Sequence, residues 1–293
     1  MKAPAPGAVA ELVRLPAVLS VPGDVLLGAA ASGQGRDVPR SAGLAAASSC
    51  LYLAGMALND YADREVDAVE RPTRPIPSGR VTPGFALGLA TGLTAAAAGI
   101  AVAADGARAL GILAPLAACV WAYDLVLKQT PAGPASMAAC RGLDVLMGSG
   151  PHGAAKALPQ AAVVTAHIGV TTTVSQREVE GATPRLPRLA AAATGVVAAA
   201  AGAVAVSSSR SAARLAAAAG LVGAYAATVG GAHARAIQDP SPKRLQQAVG
   251  ASVLGLMPLE AGMLATSGGL APAGGIAAMW PLARTLARRR KVT

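Results

Sequence analysis

Apolar runs long enough to cross a membrane recur along this chain from end to end, and no other feature restricts its fold as much. They fall at about 12–31, 41–60, 82–104, 108–127, 134–150, 158–176, 188–206, 211–232, 246–265 and 270–287. A helix needs about 20 apolar residues, and no fewer than about 17, to span the hydrocarbon core of a bilayer. The expectation is therefore an all-α, polytopic transmembrane bundle of nine or ten helices, with either of the last two runs also suited to a re-entrant or interfacial segment. Only 14% of the residues are charged, against about a quarter in a soluble domain, and residues 1–293 read as a single domain. Much of the apolar character is alanine, which suits close helix contact, and Gly84, Gly88 and Gly92 at four-residue spacing are the expected seam.

The charges between these runs are lopsided. Of the 25 Lys and Arg residues, only Arg36, Arg40, Arg108, Lys156, Arg210 and Arg214 fall in the even-numbered gaps, with Arg141 inside a run. The rest, from Lys2 and Arg14 to Arg290 and Lys291, fall on the other side. By the positive-inside rule, the 61–81 and 177–188 loops face the cytoplasm. The basic C-terminal tail joins them if there are ten crossings. The net charge of +10 is thus a topological signal. With only two Trp, four Tyr and one Phe, and no basic stripe, the chain offers no nucleic-acid platform. Cys50, Cys119 and Cys140 each lie within an apolar run, as packing residues and not a disulfide framework. Pro22, Gly23 and Asp24 interrupt the first run, so it reads as an uncleaved helix and not a signal peptide.

The chemistry concentrates after the second run. Asn59-Asp60-Tyr61-Ala62-Asp63-Arg64-Glu65-Val66-Asp67 leads into Arg71-Pro72-Thr73-Arg74-Pro75-Ile76-Pro77-Ser78-Gly79-Arg80. Asp60, Asp63 and Asp67 stand at i, i+3 and i+7, so on a helix their carboxylates share one face, bordered by Asn59. Three carboxylates on one stripe repel unless a cation lies among them. Oxygen-only ligands suit a hard ion such as Mg²⁺, which takes one or two carboxylates plus waters and phosphates. The following arginines are suited to phosphate oxygens. The plain alternative is a solvated loop at a helix end.

The stretch "NDYADREVDAVERPTRPIPSGRVT" closely resembles the first aspartate-rich motif of the UbiA superfamily of intramembrane prenyltransferases, N-D-x-x-D-x-x-x-D followed by R-P-x-R-P-[IL]-x-x-G. Within that superfamily the resemblance extends to a bacterial subgroup called EboC-like. It implies helices around a central cavity, a prenyl diphosphate donor, an acceptor of unread identity and Mg²⁺ as cofactor. It also implies an integral protein of the bacterial inner membrane with the motif loops cytoplasmic. On this reading Asp60, Asp63 and Asp67 are catalytic and, with Asn59, hold the metal, while Asn59, Arg64, Arg74, Lys128 and Arg177 meet the diphosphate.

Arg64-Glu65-Val66-Asp67 is echoed by Arg177-Glu178-Val179-Glu180, the mark of an internal duplication. Relatives usually carry a second aspartate-rich motif there. Here Thr173 and Gln176 replace two of the acids and Glu180 alone remains, which puts a second metal in doubt. Relatives also often have Tyr followed by a basic pair at the inner end of the fourth run, and here Tyr123 and Lys128 survive. Ionised groups at membrane depth usually face a cavity or a partner. Asp24, Arg141 and Asp144 are therefore cavity candidates, with Arg141 suited to pair either with Asp144, three residues on, or with Asp24, while the resemblance implies that Tyr123, Glu178 and Glu180 also border the cavity. Glu260 suits a helix break or a cavity wall, and His167 reads as a packing residue. Two other readings stay open: a non-catalytic binder or transporter of a prenyl or amphipathic metabolite, and a membrane scaffold for partner enzymes.

Overall fold

The structure is a computed structural model that describes residues 4–289; Lys2, Arg290 and Lys291 of the charge pattern lie outside the described residues. Among the described residues twelve α-helices follow in order: α1 (Pro6–Leu12), α2 (Pro22–Ala31), α3 (Val38–Ala62), α4 (Arg64–Glu70), α5 (Pro83–Asp105), α6 (Leu110–Ala122), α7 (Gly133–Ser175), α8 (Arg185–Ser208), α9 (Ala212–Tyr225), α10 (Gly231–Gln238), α11 (Pro242–Ser267) and α12 (Leu270–Arg289). There is no strand among the described residues. Nine of the ten expected runs are helical over nearly their whole length, the run at 12–31 being broken, and among the described residues six helical stretches, Val38–Ala62, Pro83–Asp105, Ala107–Leu127, Arg185–Ser208, Ala212–Gln238 and Pro242–Ser267, are long and apolar enough to cross a membrane. The chain is an all-α integral membrane bundle.

Local sequence explains where the helices begin and break. Asp37 caps α3 by accepting from Arg40 N at 3.1 Å, and Thr82 caps α5 by accepting from Phe85 N at 3.2 Å, each with a proline in the first turn whose missing N–H needs no acceptor. The first run is not one helix: a 3₁₀ segment at Leu15–Ser20 separates α1 from α2. The 43 residues of α7 would extend about 65 Å if straight, twice the hydrocarbon thickness. They fold back at Gly150 (φ 65°, ψ 168°), just before Pro151. Only glycine enters that backbone region without strain. A Cβ on Gly142 would strike Thr165, and one on Gly169 would touch Ala138, so the two halves pack antiparallel with no intervening loop.

Glycine also sets the closest helix contacts, although not where expected. A Cβ on Gly28 would land on the Val145 carbonyl and one on Gly148 on the Val25 carbonyl, so α2 and the first half of α7 lie backbone to backbone. Gly84, Gly88 and Gly92 instead have nothing within 4 Å and form an outward stripe on α5. The last two runs differ from each other. On α11 every residue from Gly255 to Thr266 is buried, which makes it the central post of the C-terminal half and no interfacial segment. The duplication gains a structural counterpart: α3, α5 and α6 have their counterparts in the second half of α7, α8 and α9. A π-helical turn closes each set, at Tyr123–Leu127 and Ala226–Gly230.

Candidate functional site

The loop after α4 is shaped to turn Arg74 back upon the acids. Pro72, Pro75 and Pro77 fix the backbone, Ser78 Oγ donates to Arg74 O at 2.6 Å, and Gly79 (φ 72°) reverses the chain. Buried Ile76 fastens the loop to Leu12, Val13, Ala57 and Leu58. Arg80 ties it to α1 through Glu11 at 2.6 Å. Arg74 Nη1 then reaches Asp60 Oδ1 at 3.0 Å and Asp67 Oδ2 at 2.9 Å.

The three aspartates do not stand on one continuous helix, because α3 ends at Ala62 and α4 begins at Arg64 with Asp63 between them. Asp60 and Asp67, both buried, share Arg74, while Asp63 turns to Lys128 Nζ at 2.6 Å. Lys128 is brought there by the π-turn, whose Lys128 N donates to Tyr123 O at 2.9 Å; such turns frequently mark functional sites. The same turn buries Asp124, which accepts from Asn59 Nδ2 at 3.1 Å. Arg14, the only non-glycine residue with positive φ (48°) among the described residues, reaches Asp60 Oδ1 at 3.0 Å and Asn59 Oδ1 at 3.3 Å. That backbone strain costs about 1–2 kcal/mol and directs the guanidinium at the cluster. Asp67 also faces Arg71 at 3.5 Å. Arg14, Asp60, Arg74, Asp67 and Arg71 thus form a chain of ion pairs that Asn59 extends to Asp124, with the Lys128–Asp63 pair held on the adjoining turn.

Neither Arg14 nor Asp124 was singled out in the sequence as a site residue. The only signal was a charge at each end of an apolar run. Other candidates lie elsewhere: Arg64 binds its own turn, donating to Tyr61 O at 2.9 Å and covering the Tyr61 ring. Arg177 pairs with Glu180 at 3.1 Å, both exposed. Glu178 is half-buried, and burial raises its carboxyl above the usual range, partly offset by Arg71. Its carbonyl accepts from Gln246 Nε2 at 3.4 Å, and Ala182 N donates to Pro240 O at 3.1 Å. The two motif loops and the α10–α11 turn therefore share one end of the bundle.

A cavity of about 200 Å³ runs inward from this cluster, from Arg14, Asn59, Tyr123 and Asp124 past Leu51, Met56, Leu116 and Val120 to Ser48, Tyr52, Arg141 and Asp144. Ser48 and Asn59 are 11 residues apart on α3, about 16 Å along a helix axis. At the inner end Arg141 Nη2 pairs with Asp24 Oδ2 at 2.6 Å and lies 4.0 Å from Glu260 Oε1. Asp144 accepts from Ser48 Oγ at 2.6 and 2.8 Å instead of pairing with Arg141. His167 is a packing residue, bonded to Tyr225 Oη and Ser252 O at 3.0 Å each. Among the described residues, no three acidic, His or Cys side chains converge on a point that would hold a metal.

Comparisons with known proteins bear on the fold and the family. A solved digeranylgeranylglyceryl phosphate synthase structure superposes with a TM-score of 0.64 at 15% identity, over 89% of this chain and 98% of that one. The apo structure of a UbiA homologue from Aeropyrum pernix K1 gives 0.59 at 20% identity, over 85% and 96%. These likenesses establish the fold. The digeranylgeranylglyceryl phosphate synthase of Methanospirillum hungatei is 42% identical over 78 residues, 27% of this chain and 28% of that relative's length. The model of the UbiA prenyltransferase family matches residues 23–175, just over half of the sequence and inclusive of the acidic motif, its loop and the cavity's inner wall; the chain belongs to the UbiA prenyltransferase family.

Proposed function

We propose that the chain is a prenyltransferase that moves an isoprenyl group from a prenyl diphosphate to an acceptor, with Mg²⁺, at the cytoplasmic face of the membrane. The observation that carries the reading is that Arg14 and Arg74 pair with Asp60, and Lys128 with Asp63, beside Arg14 and Asn59 at one end of a mostly apolar cavity. A charged head bound there leaves its hydrocarbon tail to the bundle. Family membership and the synthases among its relatives support the same reading.

Mg²⁺ suits the donor set by chemistry, since Asn59, Asp60, Asp63 and Asp67 offer oxygen alone, and the ion needs only one or two protein carboxylates when phosphate supplies the rest. With no three-acid cage among the described residues, the fit is to an ion that arrives with the diphosphate. When bound, it neutralises charge on the leaving diphosphate. Lys128 and Arg74 hold the phosphate oxygens and stabilise the charge that grows as the carbon–oxygen bond breaks. Arg14 keeps Asn59 and Asp60 in place, and the apolar walls keep water from the reacting carbon.

Asp63→Ala is expected to abolish Mg²⁺-dependent diphosphate release from geranylgeranyl diphosphate while the protein stays monodisperse in detergent. Unchanged turnover would overturn its role. Lys128→Ala is expected to lower turnover about a hundredfold, the scale of one lost electrostatic donor. One observation favours a second reading, a non-catalytic prenyl binder: the second motif's Glu180 is spent on Arg177 at the surface. Saturable binding of geranylgeranyl diphosphate without release across an acceptor panel identifies that case.

A further inference from the structure

We infer that the inner end of the cavity selects an acceptor that is uncharged there and offers a hydroxyl to Asp144, and that it disfavours a carboxylate or phosphate; this rests on the prenyl-transfer reading. Arg141 is the one cation at that end among the described lining residues; its Nη2 is already engaged, while its buried Nε has no hydrogen-bond partner. It pairs with Asp24, faces Glu260 and donates to Ser20 O at 3.2 Å. Asp24 and Glu260 come from α2 and α11, have no exposed surface, and pack behind the guanidinium. Gly23 leaves the space that Glu260 fills. Asp144 lines the same end of the cavity, so three acids share it with one base. The two oxygens of Glu260 are buried and receive no hydrogen bond.

An anionic group placed here would add a fourth acid to a single cation in a medium that screens poorly. A hydroxyl meets the opposite situation. Ser48 has one proton to share between the two oxygens of Asp144, so that wall retains acceptor capacity towards the cavity. The volume of about 200 Å³ is on the scale of the engineered void of about 150 Å³ that takes up benzene, so a substituted six-membered ring is an appropriate probe.

The test measures equilibrium binding of radiolabelled 4-hydroxybenzyl alcohol and 4-hydroxybenzoate to the full chain in detergent, with geranylgeranyl diphosphate binding measured separately. The alcohol is expected to bind at least tenfold more tightly. In the variant Asp24→Asn/Glu260→Gln, which releases Arg141, the preference is expected to shift at least tenfold towards the carboxylate. Equal or tighter binding of 4-hydroxybenzoate to the unaltered chain overturns the inference, as does failure of the alcohol to bind; neither outcome depends on the variant folding. Loss of geranylgeranyl diphosphate binding would defeat the prenyl-transfer reading itself, whereas retained diphosphate binding with preferred carboxylate defeats the inference alone.

Discussion

Arg74 shows how much one side chain holds together here. Its Nη1 lies within 3.0 Å of both Asp60 and Asp67, which are 4% and 1% exposed. Removing one partner of a buried ion pair costs about 3–5 kcal/mol because a charge is left uncompensated. Arg74 is itself 23% exposed, and Arg14 and Arg71 still serve the two acids, so solvent and neighbours soften the loss. Arg74→Met is expected to lower stability in detergent by about 2–3 kcal/mol, and Asp60→Asn in that background to recover part of it. A thermal-unfolding series of the two single variants and the double checks this, and strictly additive effects would remove Arg74 from the network.

Among the helices, the glycines decide which contacts are rigid. Gly28 and Gly148 face carbonyl oxygens across α2 and α7, so a methyl group there must displace backbone. Gly28→Ala is expected to cost about 1–3 kcal/mol, the usual penalty of overpacking. Gly88→Ala, with nothing within 4 Å, is expected to leave the unfolding temperature unchanged or raise it, since alanine is the better helix former. Comparing the two by thermal unfolding separates the seam that the spacing suggested from the one the fold uses. The π-turn at Tyr123–Leu127 is the other decisive element. It positions Lys128 against Asp63 and buries Asp124 beside Asn59. Nothing in "YDLVLK" announces a wider turn, because a π-turn and an α-turn draw on the same apolar residues.

Across the bundle, the field of Arg71 at Glu178, the Gln246–Glu178 hydrogen bond and the Ala182–Pro240 hydrogen bond gather both motif loops and the start of α11 at one end. At the opposite end Arg40 binds Asp105 at 2.6 and 2.9 Å and the Gly148 carbonyl at 2.9 Å. Single cysteines at the exposed positions Val69 and Val179, in a chain cleared of Cys50, Cys119 and Cys140, are expected to react with an impermeant maleimide from the cytoplasmic side of sealed vesicles. One at Ser208 is expected to react from the other side. Labelling of Val69→Cys and Val179→Cys from opposite sides would contradict the shared loop face.

The sequence by itself determined the all-helical membrane class, the approximate extent of nine of the ten helical runs and the family. Burial of long apolar runs is a local property, and the acidic motif with its proline-rich loop is contiguous. Arg141 was also legible as one member of an ion pair at membrane depth, with Asp24 and Asp144 both open as its partner until the structure placed Asp24 against it. Only the tertiary structure decided that the three aspartates divide between Arg74 and Lys128, that Arg14 and Asp124 complete the cluster, and that Glu260 joins the inner end of the cavity. Arg74 is returned by the proline-rich loop to acids 7 and 14 residues away; the other partners are separated along the chain by tens to hundreds of residues, and helix crossings with a wider turn, not spacing along one helix, bring their charges within reach.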